Sequence, residues 1–203
     1  MAAIRLDQMR AIFPDAPEER RIAFVETLHL DRAGINSVTR LEYFLAQLAH
    51  ESNWLKRLEE NLNYTTANRL RAVWPKRFPS EASTIPYIRN PEALANKVYG
   101  GRMGNVNPGD GYLFRGRGYI MCTGRENYRK VSFFASYDFE GNPQHAATSE
   151  GALLVSLGYW QLNRLNVYAD AKDFDGLSVR INGGTVGLED RKKCLAKIRE
   201  VLR

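Results

Sequence analysis

The chain reads as a mainly α protein carrying a small β element. Apolar residues recur at helical spacing in five stretches, helix start and stop signals flank them, and strand-like runs are confined to two short segments. Residues 17–30 open on Pro17, Glu18 and Glu19, suited to a first turn, and continue through Ile22, Val25 and Leu28. Thr39 followed by Glu42 reads as a capping box, after which Leu41, Phe44, Leu45, Leu48, Ser52 and Leu55 trace one stripe. Asn90-Pro91 starts a helix that runs to Tyr99 and stops at Gly100-Gly101. Ser149 is placed to cap a helix bearing Leu153, Leu154, Leu157 and Trp160. A last helix from Leu188 sets Leu188, Leu195, Ile198 and Leu202 on one side. The β element is expected at 112–114 and 119–122, where Tyr, Leu, Phe, Ile and Met gather. From Gly100 to Gly118, seven glycines fall in nineteen residues, a length that suits a binding loop. Pro79 and Pro86 mark another loop, a candidate cleft wall.

With 203 residues the chain suits one domain, 1–203, with a real core. Its 44% hydrophobic and 26% charged residues are those of a soluble globular protein, and no apolar run approaches a membrane span, so stable membrane insertion is not expected. Met1 to Arg10 carry charge early and lack an apolar stretch, so no conventional secretion signal is expected. Two cysteines, Cys122 and Cys194, cannot make a disulfide framework and read as reduced, buried thiols. Together with His29, His50 and His145 they show no metal-ligand spacing, so neither metal nor cofactor is expected. The net charge of +6 favours an anionic partner such as nucleic acid, anionic cell wall or acidic lipid.

Glu51 and Glu60 carry the chemistry. A pair of carboxyl groups suffices for acid/base cleavage of a glycosidic bond, one protonated to expel the leaving sugar and one ionised to activate water. Taking Leu41 as zero and advancing about 100° per residue, the apolar stripe spans roughly 100° and Glu51 falls at its margin, whereas His50 points away. Partial desolvation there favours the neutral acid. An unbroken helix would turn Glu60 about 180° from Glu51 and shift it about 13.5 Å, so the two would not share a substrate. The helix must therefore end near Arg57–Glu59 and the chain turn back, for which Asn61, Asn63 and Tyr64 are suitable residues.

Ala49-His50-Glu51-Ser52, Glu60-Asn61-Leu62-Asn63-Tyr64, the run from Arg115 through Thr123 to Tyr128, and Ile181-Asn182-Gly183-Gly184 follow one another in an order that resembles glycoside hydrolase family 19, in its small bacteriophage endolysin branch. The resemblance spans Leu41 to Arg191. It implies a lysozyme-like bilobal fold with a central cleft and inverting hydrolysis of β-1,4 links between N-acetylated amino sugars. By position it implies that Glu51 is the general acid, Glu60 the general base and Thr123 the hydroxyl that helps hold the attacking water. Asn182 and Arg191 are implied as the substrate-binding amide and a brace of the cleft floor, with Asn63 and Tyr64 lining the cleft and Tyr119 among the aromatic residues available to sugars. Met121 stands where the family usually has a sugar-binding glutamine.

The residues make chemical sense beside the resemblance. A threonine hydroxyl both accepts from and donates to water, and an asparagine before two glycines offers an amide suited to an N-acetyl group. Trp54, Trp74, Tyr99 and Tyr112 are further candidates for stacking on sugars. Arg115-Gly116-Arg117-Gly118 lacks the Gly-Lys-Ser/Thr of a phosphate loop, so a nucleic-acid module is the weaker reading and no nucleic-acid partner is expected. The expected partner is the glycan strand of peptidoglycan, with chitin the alternative substrate. The resemblance to the endolysin branch implies a monomer made in the cytoplasm and released to the wall by a holin, and the basic composition suits an anionic wall. The cations of the last helix, Arg191, Lys192, Lys193, Lys197, Arg199 and Arg203, suit either contact with an outer membrane or a solvated helix face.

Overall fold

The computed structural model describes residues 4–203. Helices dominate, and the path to residue 60 decides where the expected site lies. α1 (Leu6–Ile12) and α2 (Glu18–Glu26) lead into the short α3 (His29–Arg32). The expected helix over 17–30 is thus broken, because the Thr27 hydroxyl accepts the backbone N–H of His29 and Thr27 itself is extended. α4 (Val38–Glu51) is capped by Ser37, whose hydroxyl accepts from the Arg40 N–H, and not by the expected Thr39–Glu42 box. Glu42 is fully buried instead, drawn inward by Arg199 and Arg203 at 2.9 Å each.

α4 stops at Glu51, earlier than the expected 57–59. Ser52 ends it: its hydroxyl donates to the Leu48 carbonyl and accepts the Leu55 N–H at 2.8 Å. Asn53, Trp54 and Leu55 then adopt left-handed φ of 51°, 59° and 63°. Leu55 still reaches the core, through this turn and not through a helical stripe. Arg57 closes the reversal, its N–H on the Ser52 carbonyl and its guanidinium on the Glu51 carbonyl at 2.7 Å.

The returning segment forms the small β element. Glu59 bridges Arg117, and Arg117 bridges Cys122, both antiparallel. The two expected strands do not form: 112–114 falls largely in α7 (Asp110–Leu113), and 119–122 contributes only the Cys122 bridge. The glycine-rich stretch is accordingly no open loop. Gly111 of α7 lies so close to α6 (Pro91–Tyr99) that a Cβ there would sit 2.6 Å from the Ala95 carbonyl and 2.7 Å from the Asn96 Cα.

α5 (Ala67–Val73), the 3₁₀ turn Ala82–Tyr87 and α6 enclose a small core of Leu62, Leu70, Phe78, Leu94 and Val98. α8 (Arg125–Ala135) packs on α9 (Ser149–Leu162) around Phe114, Tyr128, Val131 and Val155, with the 3₁₀ turn Pro143–Ala147 beneath. Thr148, and not the expected Ser149, caps α9 through the Gly151 N–H. α10 (Asn166–Asp170), α11 (Phe174–Asn182) and α12 (Leu188–Leu202) complete the largest core, in which α4 and α12 pack along each other. Five of the six cations at this end of the chain have partners within it: Arg191 with Glu51, Lys192 with Asp175, Arg199 and Arg203 with Glu42, and Lys197 over the Trp54 ring at 4.4 Å. Among the described residues no helix is long and apolar enough to cross a membrane.

The close approach of α6 and α7 generates a prediction. Gly111→Ala forces a methyl group into backbone atoms and should cost about 1–3 kcal/mol. The thermal midpoint should fall by about 2–10 °C in a melt followed by circular dichroism.

Candidate active site

Glu60 sits at the end of the returning segment, next to Gly116. Its backbone N–H donates to the Gly116 carbonyl at 2.9 Å, and the Gly116 N–H donates to its Oε1. The Tyr99 hydroxyl, at the end of α6, donates to its Oε2 at 2.7 Å. Thr123 completes the group. A Cβ on Gly116 would lie 3.1 Å from the Thr123 Oγ1 and 3.2 Å from the Glu60 Oε1, so any side chain at 116 would crowd both. The Asn127 amide donates to the Thr123 carbonyl at 2.8 Å and fixes that backbone.

Glu51 occupies the last position of α4 with 21% of its side chain exposed. Its Oε1 accepts from Arg191, which is 1% exposed and also donates to the Gln47 Oε1. Gln47 in turn donates to the Ser178 hydroxyl at 2.9 Å, and Ser178 donates to the Phe174 carbonyl at 2.8 Å. Three helices thereby hold one carboxylate. The sequence suggested that Glu51 would sit at an apolar margin, whereas a buried guanidinium touches it. His50, beside it, bonds Asp190 at 2.6 Å, the residue next to that arginine in α12.

Tyr159 lies near Glu51: its phenol is pushed up chiefly by burial and next by the negative charge of that residue. It also lines a cavity of about 280 Å³ with Cys122, Asn127, Lys130 and Asn163. A larger cavity of about 610 Å³, between α2, α3 and the start of α9, contains none of the expected site residues.

The other expected residues divide. Asn63 is exposed in a turn closed by the Asn61 side chain, and Tyr64 is half-buried, edge-on to Trp74 at 5.2 Å and near enough to Glu60 to register its charge. Asn182 is exposed at the end of α11, its amide nitrogen holding the Gly184 and Val186 carbonyls at 3.2 and 3.1 Å. Arg191 lies against Glu51, as described. Tyr119 is a correction: it is fully buried against Phe24 in the largest core, out of reach of a sugar. Gly118, with φ of +93°, turns it inward beneath Val155.

Two features were not singled out by sequence reasoning. Tyr99 was one of several aromatics, and only the tertiary structure gives its hydroxyl to Glu60. Glu59 pairs with Arg115 at 2.9 Å and Arg117 at 2.7 Å. Arg117 is 1% exposed and also donates to the Leu113 carbonyl, while Arg115 stacks over Tyr112 at 4.0 Å. The Arg-Gly-Arg-Gly run therefore staples the site's floor and offers no phosphate cradle.

No sequence-family model matches the chain. Over 167 residues it is 34% identical to a Haemophilus influenzae protein described as glycosyl hydrolase family 19 domain-containing, a match covering 81% of this chain and 80% of the relative. Among solved structures it is similar to chitinase C from Streptomyces griseus, with a TM-score of 0.59 at 14% identity over 98% of this chain and 92% of the other. A bacterial family 19 chitinase gives 0.59 at 16% identity over 100% and 95% of the two chains. At such identities the solved structures establish the fold, a mainly helical one shared with these chitinases. The Haemophilus protein is close enough in sequence, across most of both chains, to establish more: this chain belongs to glycosyl hydrolase family 19.

Proposed function

We propose that this glycoside hydrolase cleaves β-1,4 links of peptidoglycan glycan strands with inversion, Glu51 serving as general acid and Glu60 as general base. The setting of Glu60 carries the proposal: each carboxylate oxygen accepts a fixed donor, and Oε1 and the Thr123 hydroxyl both border Gly116, each within 3.2 Å of where a Cβ there would lie. Carboxylate oxygens each accept more than one hydrogen bond, so a water can still be bound between Oε1 and Thr123. Glu60 takes a proton from that water as its oxygen attacks the anomeric carbon. The glycosidic C–O bond breaks on the opposite face, and Glu51 gives its proton to the leaving oxygen. Inversion requires about 6.5–9.5 Å between the carboxyls, room for water and sugar together. The reversal straight after Glu51, which brings the chain back to the Gly116 segment that holds Glu60, supports a common cleft.

Arg191 keeps the Glu51 carboxyl oriented in the free enzyme. Asn63, Tyr64 and Asn182 line the cleft in this reading. The enzyme acts as a monomer, in the manner of an endolysin released to the wall through a holin. The net charge of +6 supports an anionic wall polymer over neutral chitin. Chitin is the second reading, favoured by the solved structures of similar fold, which are described as chitinases.

Release of reducing ends from purified peptidoglycan, with none from N-acetylglucosamine oligomers, is the expected result of a side-by-side assay; the reverse pattern selects the chitinase reading. Glu51→Gln and Glu60→Gln should each lower turnover by at least about a thousandfold while circular dichroism still shows the folded, helical protein, since the amides keep shape but cannot transfer the proton. Near-normal turnover in either variant removes that residue from its role. Thr123→Ala should slow turnover less, by about 10- to 100-fold, because Glu60 alone still binds the water. An unchanged rate would reduce Thr123 to packing.

A further inference from the structure

We infer that Tyr99 is a positioning residue for the general base, holding Glu60 so that only one of its oxygens is presented to the water. This rests on the assignment of Glu60 as base. The two Glu60 oxygens have different surroundings. Oε1 faces the Thr123 hydroxyl across Gly116, whereas Oε2 accepts the Tyr99 hydroxyl at 2.7 Å. With Gly116 N–H on one oxygen and Tyr99 O–H on the other, rotation of the carboxylate plane breaks at least one charge-assisted bond. The oxygen nearer Thr123 is therefore the one left to take the proton.

Tyr99 is built to supply this contact reliably. It ends α6, where the Gly100 N–H bonds the Asn96 carbonyl. Its own carbonyl accepts the side-chain amide of Asn105, which is 1% exposed and also binds the Arg125 N–H at 2.8 Å. The contact of Gly111 with Ala95 and Asn96 fixes α6 from the other side. Burial, followed by the Glu60 charge and the hydrogen bond to it, pushes the phenol far above its ordinary range, so it remains a donor at every pH where the enzyme works. Glu60 is thus gripped by segments distant from it in the chain, Gly116 and the end of α6.

The test is Tyr99→Phe, which removes one oxygen from a ring otherwise packed in place. Rates on purified peptidoglycan and on N-acetylglucosamine hexamer are measured across pH, beside wild type and Glu60→Gln. The expected result is a kcat about 10- to 100-fold lower with KM within about twofold, the range for losing a hydrogen bond to a charged group. A purely structural role would lower the melting midpoint and leave the kcat of the folded enzyme unchanged. A wild-type kcat in Tyr99→Phe, with Glu60→Gln inactive, overturns the role of Tyr99 alone. Activity retained in Glu60→Gln overturns the base assignment itself, and this inference with it.

Discussion

The reversal of the chain at Ser52 is the constraint on which the rest depends. A helix that continued would carry Glu60 away from Glu51 on the far side of a rigid rod. The Ser52 hydroxyl prevents this by answering the Leu48 carbonyl and the Leu55 N–H together. Three successive non-glycine residues in the left-handed region are costly for L-amino acids. The burial of Leu55 and the bonds from Arg57 back to residues 51 and 52 offset that cost. Only after this turn does the segment 58–60 meet residues 116–118, with the Gly118 N–H on the Leu58 carbonyl at 2.9 Å.

Charge inside this protein serves position more than stability. Arg117 and Arg191 are each 1% exposed and each reach a glutamate in or beside the site. Buried ion pairs add little net stability because desolvation cancels much of the attraction, but removing one partner leaves a costly unpaired charge. Such pairs therefore define geometry strongly. Arg191 ties the start of α12 to the end of α4, and Arg117 ties the β bridge to the Tyr128 hydroxyl at 3.2 Å. The cations that suggested a membrane or nucleic-acid surface are largely the same ones that pin the helices.

The mainly helical class was legible in the sequence, because α4, α6, α9 and α12 each bury apolar residues at helical spacing. Their boundaries were less so. Thr27, Ser37 and Ser52 decide three of them through local hydroxyl bonds, and at Ser37 the sequence offered Thr39 as a plausible alternative cap. α8 was missed since only Tyr128, Val131 and Ala135 are buried within a polar run. The strand expected at 119–122 failed because a fully buried segment is apolar without having to pair. At the site, Glu60 and Thr123 proved to be neighbours, and Arg191 proved to touch Glu51. Tyr99 and Glu59 depended on contacts between segments 39 and 58 residues apart, which no local pattern encodes.

The two cysteines bear on where such a molecule can operate. Both are buried and unpaired, and burial pushes the Cys122 thiol up to about 12 and the Cys194 thiol up to about 11. Thiolate is the reactive form, so neither sulfur is a ready nucleophile or an easy target for oxidants at neutral pH. Passage from a reducing compartment to an oxidising one would therefore alter no covalent bond, and the fold would carry over unchanged.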